Sequence, residues 1–286
     1  MAKKYTHWDH YFTQWCLHWL PTLGLKAEGK PQFSQLPLEA DVLIIRKSKS
    51  GKWRKHPLFK YLSEYTIFEF KSVNDPFKLY HWGKLMAYVG LTTELKKLPA
   101  DAEIGAWLIV PYINKSLRTM LDKHQIELSN PISGVHTGHT GLFPLVIIEY
   151  NKLPLKPDYY ELKTFMKQGE ELKTSMLELL RSLTGSKLLS EYTTIITSIH
   201  KQEAAEMIEI LEQDKKNFQE MAELILNKMG DDIELLPTIY RIEQNSKLEK
   251  ALEMALNLYK KGFQLEMIAE VTGLSEQDLK KHFKLK

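Results

Sequence analysis

The sequence predicts an α/β fold, a mixed sheet flanked by helices and followed by an all-helical C-terminal region. Three observations predict it. Short β-branched and aromatic runs alternate with helical periodicity as far as about residue 155. Strand signals stop after Pro157, where acidic helical segments take over. Apolar runs such as Val42–Ile45 and residues 145–148 are four residues long, the length of a buried strand, whereas a membrane-spanning helix needs ~20. At ~150 residues per domain, 286 residues make about two domains, and 43 % hydrophobic with 26 % charged residues is a globular balance.

The elements follow in order. Trp8, Tyr11, Phe12, Trp15 and Trp19 recur at steps of three and four, giving a helix with one aromatic face that Pro21 and Gly24 close. Residues 39–45 read as a buried strand, residues 47–52 as a polar turn, and residues 65–72 as a second strand. Asp75 as a cap and Pro76 in the first turn then open a helix with the stripe Leu79, Trp82, Met86 and Val89, which Gly90 stops. Residues 104–110 form a strand, 115–124 a short helix and 145–149 a strand. Helical segments are expected over 160–183, 187–200, 203–229 and 247–261, with a domain boundary near Pro154 and Pro157. The expected domains are therefore 1–155 and 156–286. The second ends in a helix-turn-helix-like pair over 262–286, with Ile268, Val271 and Leu274 as one apolar set, Leu279 and Phe283 as the next, Gly273 as the turn and Ser275 with Asp278 as a capping box.

Charge is uneven. Residues 1–100 hold 16 basic and 8 acidic side chains, whereas the rest of the chain is acidic on balance, so the N-terminal part is the candidate for a polyanionic partner. Cys16 is the single cysteine, which excludes an intramolecular disulfide and a Cys-rich zinc site and makes a reducing cytoplasm the expected compartment. The first ten residues carry no apolar signal-peptide core, and no membrane association is expected.

Asp41, Glu69 and Lys71 carry the most chemistry. Asp41 opens an apolar strand, where an unpaired carboxylate is costly to bury. Glu69 and Lys71 are two apart and leave the same face of their strand, with Phe68 and Phe70 on the other. Such a set can hold one divalent cation between two carboxylates, with the ammonium beside a water ligand; magnesium suits those donors, and phosphodiester hydrolysis suits magnesium. On spacing alone, the same residues also read as a cross-strand ion pair.

The order of a leading helix, Glu-Ala-Asp-Val-Leu-Ile-Ile, then Ile-Phe-Glu-Phe-Lys-Ser followed by Asn-Asp-Pro, resembles the PD-(D/E)xK nuclease superfamily, and within it the recombination-promoting nuclease/putative transposase group. The resemblance covers roughly residues 5–150. It implies a restriction-endonuclease-like sheet and a metal-dependent endonuclease acting on DNA, RNA not being excluded, of a kind linked to recombination or mobile elements. It further implies Mg2+ (or Mn2+) on Asp41, Glu69 and the Phe70 backbone carbonyl, and Lys71 as the lysine that orients or activates water; one site per chain would favour a homodimer if both strands are cut. Ala40 stands where the motif name has proline, and Asp41 and Glu69 are 28 residues apart, so an insertion folds between them. Lys84 and Tyr88 share a helix face and match a Gln-x-x-x-Tyr pattern, with Lys84 in place of the glutamine. Asp9 or Glu39 is the candidate for a further acid; otherwise each is an ordinary helix-start or strand-end charge. The alternative is a catalytically inactive nucleic-acid-binding or assembly protein on the same fold.

Between the two strands Arg46, Lys47, Lys49, Lys52, Arg54 and Lys55 surround Trp53. Cations around an aromatic ring suit phosphate contact and base stacking beside the site; a solvated loop is the plainer reading. Lys78 and His81 are expected on the polar side of the following helix. His136 and His139 lack a third ligand and read as a Gly-rich hairpin.

Overall fold

Among the described residues, seven strands form one mixed sheet in the order β1-β2-β3-β4-β7-β6-β5. The computed structural model describes residues 8–31, 40–46, 51–99, 101–212 and 237–275, with positions 224, 225, 228, 277, 279, 280 and 283. The strands are β1 Lys26–Gly29, β2 Val42–Ile45, β3 Tyr65–Phe70, β4 Ile104–Val110, β5 Ser129–Ile132, β6 Val135–His139 and β7 Pro144–Glu149. The central pairs β3–β4 and β4–β7 are parallel, and the outer pairs are antiparallel. Parallel strands need crossover connections. Helix α2 (Leu79–Lys96) supplies one between β3 and β4.

Each face of the sheet buries its own layer. On one, Phe70 stacks on Phe12 of helix α1 (Trp8–Thr22) with ring centroids 4.4 Å apart, and Phe68 stacks on Trp107 at 4.8 Å. On the other, Leu43, Ile67, Leu108 and Ile147 pack with Trp82, Leu85 and Tyr88 of α2 and with Leu117 and Met120 of α3 (Lys115–Lys123). Helix α3 starts on a true cap, Asn114 Oδ1 accepting from the Leu117 N–H at 2.9 Å.

Several boundaries differ from those the sequence predicts. Helix α2 begins at Leu79 because Asp75 spends its carboxylate on the Lys78 ammonium (2.9 Å) and the Lys78 N–H is instead taken by His81 Nδ1 at 3.0 Å. Gly90 lies inside the helix, which continues to a left-handed Lys97. Strand β1 was not expected. In the β5–β6 hairpin Gly134 adopts φ +76°, and a Cβ there would meet the Glu149 carbonyl at 2.8 Å, so glycine is required.

The chain divides into two compact units, Met1–Ala204 and Ala205–Lys286. The composition change at 153–157 therefore marks the end of the sheet rather than the end of the first unit. Helices α4 (Tyr160–Lys163) and α5 (Glu170–Ser182) break the expected 160–183 helix into parts, α6 (Leu188–Ile199) forms as expected, and they cover α1, where Trp15 packs against Phe165 and, at 4.3 Å, Tyr192. Helix α7 spans Lys201–Glu212.

In the second unit α8 (Pro237–Lys260) and α9 (Leu265–Thr272) enclose a small core of Ala255, Ile268 and Leu279, with Gly273 left-handed (φ 70°) at the turn. Val271 is 60 % exposed and so leaves the apolar set expected for it. Asp278, Lys281, Lys284 and Lys286 lie outside the described residues. No helix among the described residues is long and apolar enough to cross a membrane.

Candidate active site

Antiparallel pairing brings the first residue before β2 beside the last residues of β3, because Val42 pairs with Phe68. Asp41 Oδ2 accepts the Phe70 N–H at 2.7 Å, which fixes its carboxylate at the strand end. Thr13 of α1 donates to the Asp41 carbonyl (3.4 Å), as does the Lys30 N–H (2.9 Å). Glu69 and Lys71 share the face of Ile67, on the α2 side, and are both buried. Lys71 Nζ lies 2.7 Å from Glu69 Oε1, while Glu69 Oε2 is buried with no hydrogen-bond partner among the described residues.

The electrostatics follow from crowding two acids and one cation. Burial, then Glu69, pushes the Asp41 carboxyl up to about 8, against the lowering effect of Lys71 and the Phe70 N–H. Burial pulls Lys71 down, but Glu69 and Asp41 outweigh it and hold the ammonium above its ordinary range. No group of three or more His, Cys, Asp or Glu side chains is gathered for a metal among the described residues. The two-acid set nevertheless fits a hard cation of the magnesium type, which binds through one or two carboxylates and keeps its waters. The orphaned Glu69 Oε2 is the atom such an ion would satisfy.

The auxiliary residues separate. Asp9 is exposed, 3.7 Å from Lys30 Nζ, and close enough to Asp41 to add to the rise in its pKa. Glu39 lies outside the described residues. Lys84 is half-buried on α2, and Tyr88, one turn on, is fully buried in the core with Leu85 and Trp82. His81, expected on the polar side, is 4 % exposed. Its ring meets Phe77 and Tyr80 edge-on, and burial followed by Lys71 holds its pKa down at about 4. Sequence reasoning missed His81 as a neighbour of Lys71. The spacing 81, 84, 88 along one helix face contained the signal.

The basic segment is anchored away from the site. It leaves β2 after Ile45 and returns at Tyr65, and those residues are paired at the opposite end of the hairpin, a strand length of about 13 Å away. Trp53 is 3 % exposed, and the guanidiniums of Arg46 and Arg54 lie 5.4 and 5.5 Å from its ring centroid. A buried ring so covered offers no stacking face. Lys52, Arg54 and Lys55 are exposed; Lys47 and Lys49 lie outside the described residues. His136 does not reach a metal cluster either. It pairs with the buried Glu149 at 2.8 Å, which also accepts from the Ile113 N–H (2.8 Å) and Lys152 (3.0 Å) and so ties three loops together.

Residues 248–284 match the family model of the Rpn/YhgA-like nuclease family, C-terminal HTH domain. The match covers the α8–α9 core with its left-handed Gly273 and supports the Rpn group for this chain. The matched family is one of nucleases, and the matched part of it is a helix-turn-helix domain. None of the curated proteins and none of the solved structures matches the chain.

Proposed function

We propose that the chain is a metal-dependent endodeoxyribonuclease whose site is Asp41, Glu69 and Lys71, with DNA presented by the C-terminal helices. The observation that carries the reading is the juxtaposition of two carboxylates and a buried ammonium at one strand end, with Glu69 Oε2 left without a partner among the described residues. Asp41, Glu69 and the Phe70 carbonyl would hold Mg2+ or Mn2+. When bound, the ion supplies charge neutralisation at the scissile phosphate and a lowered pKa for water. The Phe70 N–H aims the Asp41 carboxylate. Lys71, kept protonated by the acids, donates hydrogen bonds to the attacking water or to a phosphate oxygen. Lys84, one turn beyond His81, adds positive charge on the α2 side. Cutting both strands with one site per chain would favour a homodimer.

The test is cleavage of supercoiled plasmid by the purified chain with magnesium, compared with Asp41→Ala. Cleavage is expected from the first and not the second; equal cleavage by both would sink the assignment. A second reading, a nucleic-acid-binding protein without turnover, is favoured by the direct Lys71–Glu69 pair, which already neutralises one acid. Salt-sensitive DNA binding with no cleavage under any divalent cation would select it.

A further inference from the structure

Large aromatic side chains usually bury most of their surface, yet two tyrosines stand open at the rim of this site. Tyr80 is 60 % exposed and Tyr112 is 44 % exposed, with Leu79 beside Tyr80 at 53 %. They stand on two loops that leave the sheet at the same level, since the Lys71 N–H donates to the Ile109 carbonyl at 2.8 Å. One loop runs from Lys71 to α2 and carries Tyr80 at the helix start; the other runs from β4 to α3 and carries Tyr112. Asn114 Nδ2 donates to the Phe77 carbonyl at 2.8 Å and fastens the two loops to each other. Tyr150, beside Tyr112, donates to the Lys71 carbonyl at 3.5 Å, which places the second tyrosine close to the catalytic strand end.

The rim is cationic as well as aromatic. Lys78 Nζ lies 5.9 Å from the Tyr80 ring centroid, and Arg118 Nε donates to the Ile113 carbonyl at 3.5 Å. Lys84 and Lys115 add two more positive charges, while Lys71 is paired with Glu69 and Lys78 with Asp75. An isologous contact with a second copy would set these cations against each other, which is unfavourable. A polyanion with accessible base faces meets both the charge and the rings. Duplex DNA meets only the charge, because its base faces are covered by stacking.

We infer that Tyr80 and Tyr112 form a stacking platform for unpaired bases, and that the substrate class of the proposed nuclease site is nucleic acid with a single-stranded segment at the scissile phosphate. The inference rests on the nuclease reading for its substrate but not for its binding step. The experiment is therefore done without turnover, by fluorescence anisotropy of labelled single-stranded and duplex oligonucleotides on the full chain in chelator. Tyr80→Ala and Tyr112→Ala should each weaken single-strand binding by about tenfold, within the range for loss of one base–aromatic stack. Tyr80→Phe and Tyr112→Phe should bind as the parent does. Duplex affinity, which the C-terminal helices can supply, should not move. Unchanged single-strand affinity in the alanine variants would overturn the platform, as would equal losses on duplex or losses in the phenylalanine variants. A parent dimer in sedimentation that Tyr80→Ala dissolves would overturn it too, by making the rim an interface between copies. Cleavage is read separately, on plasmid with magnesium, so failure of cleavage and failure of stacking are distinguished.

Discussion

An ammonium buried 2.7 Å from a carboxylate and within reach of a second one has two possible uses, and Lys71 separates them. If it only neutralises Glu69, Lys71→Ala leaves the acids freer to bind a cation and cleavage survives. If it also positions water or phosphate, turnover falls while metal binding holds. We expect Lys71→Ala to bind magnesium by calorimetry yet nick plasmid at least ~100-fold more slowly, the low end of general acid–base assistance. Near-normal nicking would reduce Glu69-Phe70-Lys71 to a structural ion pair. That Glu69 and Lys71 share a face was legible in the sequence, because a period of two along a strand fixes which side chains do; the place of Asp41 beside them depends on the Val42–Phe68 register. His81 was not legible. Its ring meets Phe77 and Tyr80 edge-on, and its Nδ1 is used by a backbone N–H that only the fold brings near.

Secondary structure shows the same division. Strands β2, β3, β4 and β7 are buried on both faces and announce themselves as apolar runs. Strand β1 reads Lys-Ala-Glu-Gly and carries no hydrophobic signal; it exists because its backbone completes the edge of β2. Strand β5, Ser-Asn-Pro-Ile, is likewise an edge, where proline is tolerated. Trp53 misled for a different reason. Cations and a tryptophan in a row suggest a nucleic-acid surface, but Trp53 turns inward as the core of its own 3-10 turn, Lys52–Lys55. Trp53→Ala is accordingly expected to cost about 3–5 kcal/mol of stability in urea unfolding, the range for a buried aromatic, with single-strand affinity of the folded fraction unchanged. Intact stability with lost binding would return the ring to the nucleic acid.

Across the first compact unit, buried ionisable groups pull stability in opposite directions as pH changes. His200 is 3 % exposed, donates to the Thr164 carbonyl at 2.6 Å and is held down at about 4 by burial. Between pH 6.5 and 4 the unfolded chain takes up a proton there and the folded one does not, so this contribution to stability is lost as pH falls through that window. Glu161 and Asp41, pushed up to about 7 and about 8, act with the reverse sign and favour folding as pH falls. The informative quantity is a difference: His200→Gln should gain on the parent by up to about 3 kcal/mol between pH 7 and pH 4. A difference in denaturant midpoints that stays constant over that range would contradict it. One more consequence follows from the hairpin. Asp41 and Glu69 meet at its open end, and the chain leaves at Ile45 and re-enters at Tyr65 at the other. Lengthening a flexible connection costs little, about 0.6 kcal/mol per doubling, and here the added chain would emerge a strand length from the chemistry. The architecture thus keeps the acid pair a strand length from the connection, so descendants of this sequence can acquire new contacts at the exposed Lys52, Arg54 and Lys55 while Trp53, Leu58 and Phe59 stay buried and the acids keep their spacing.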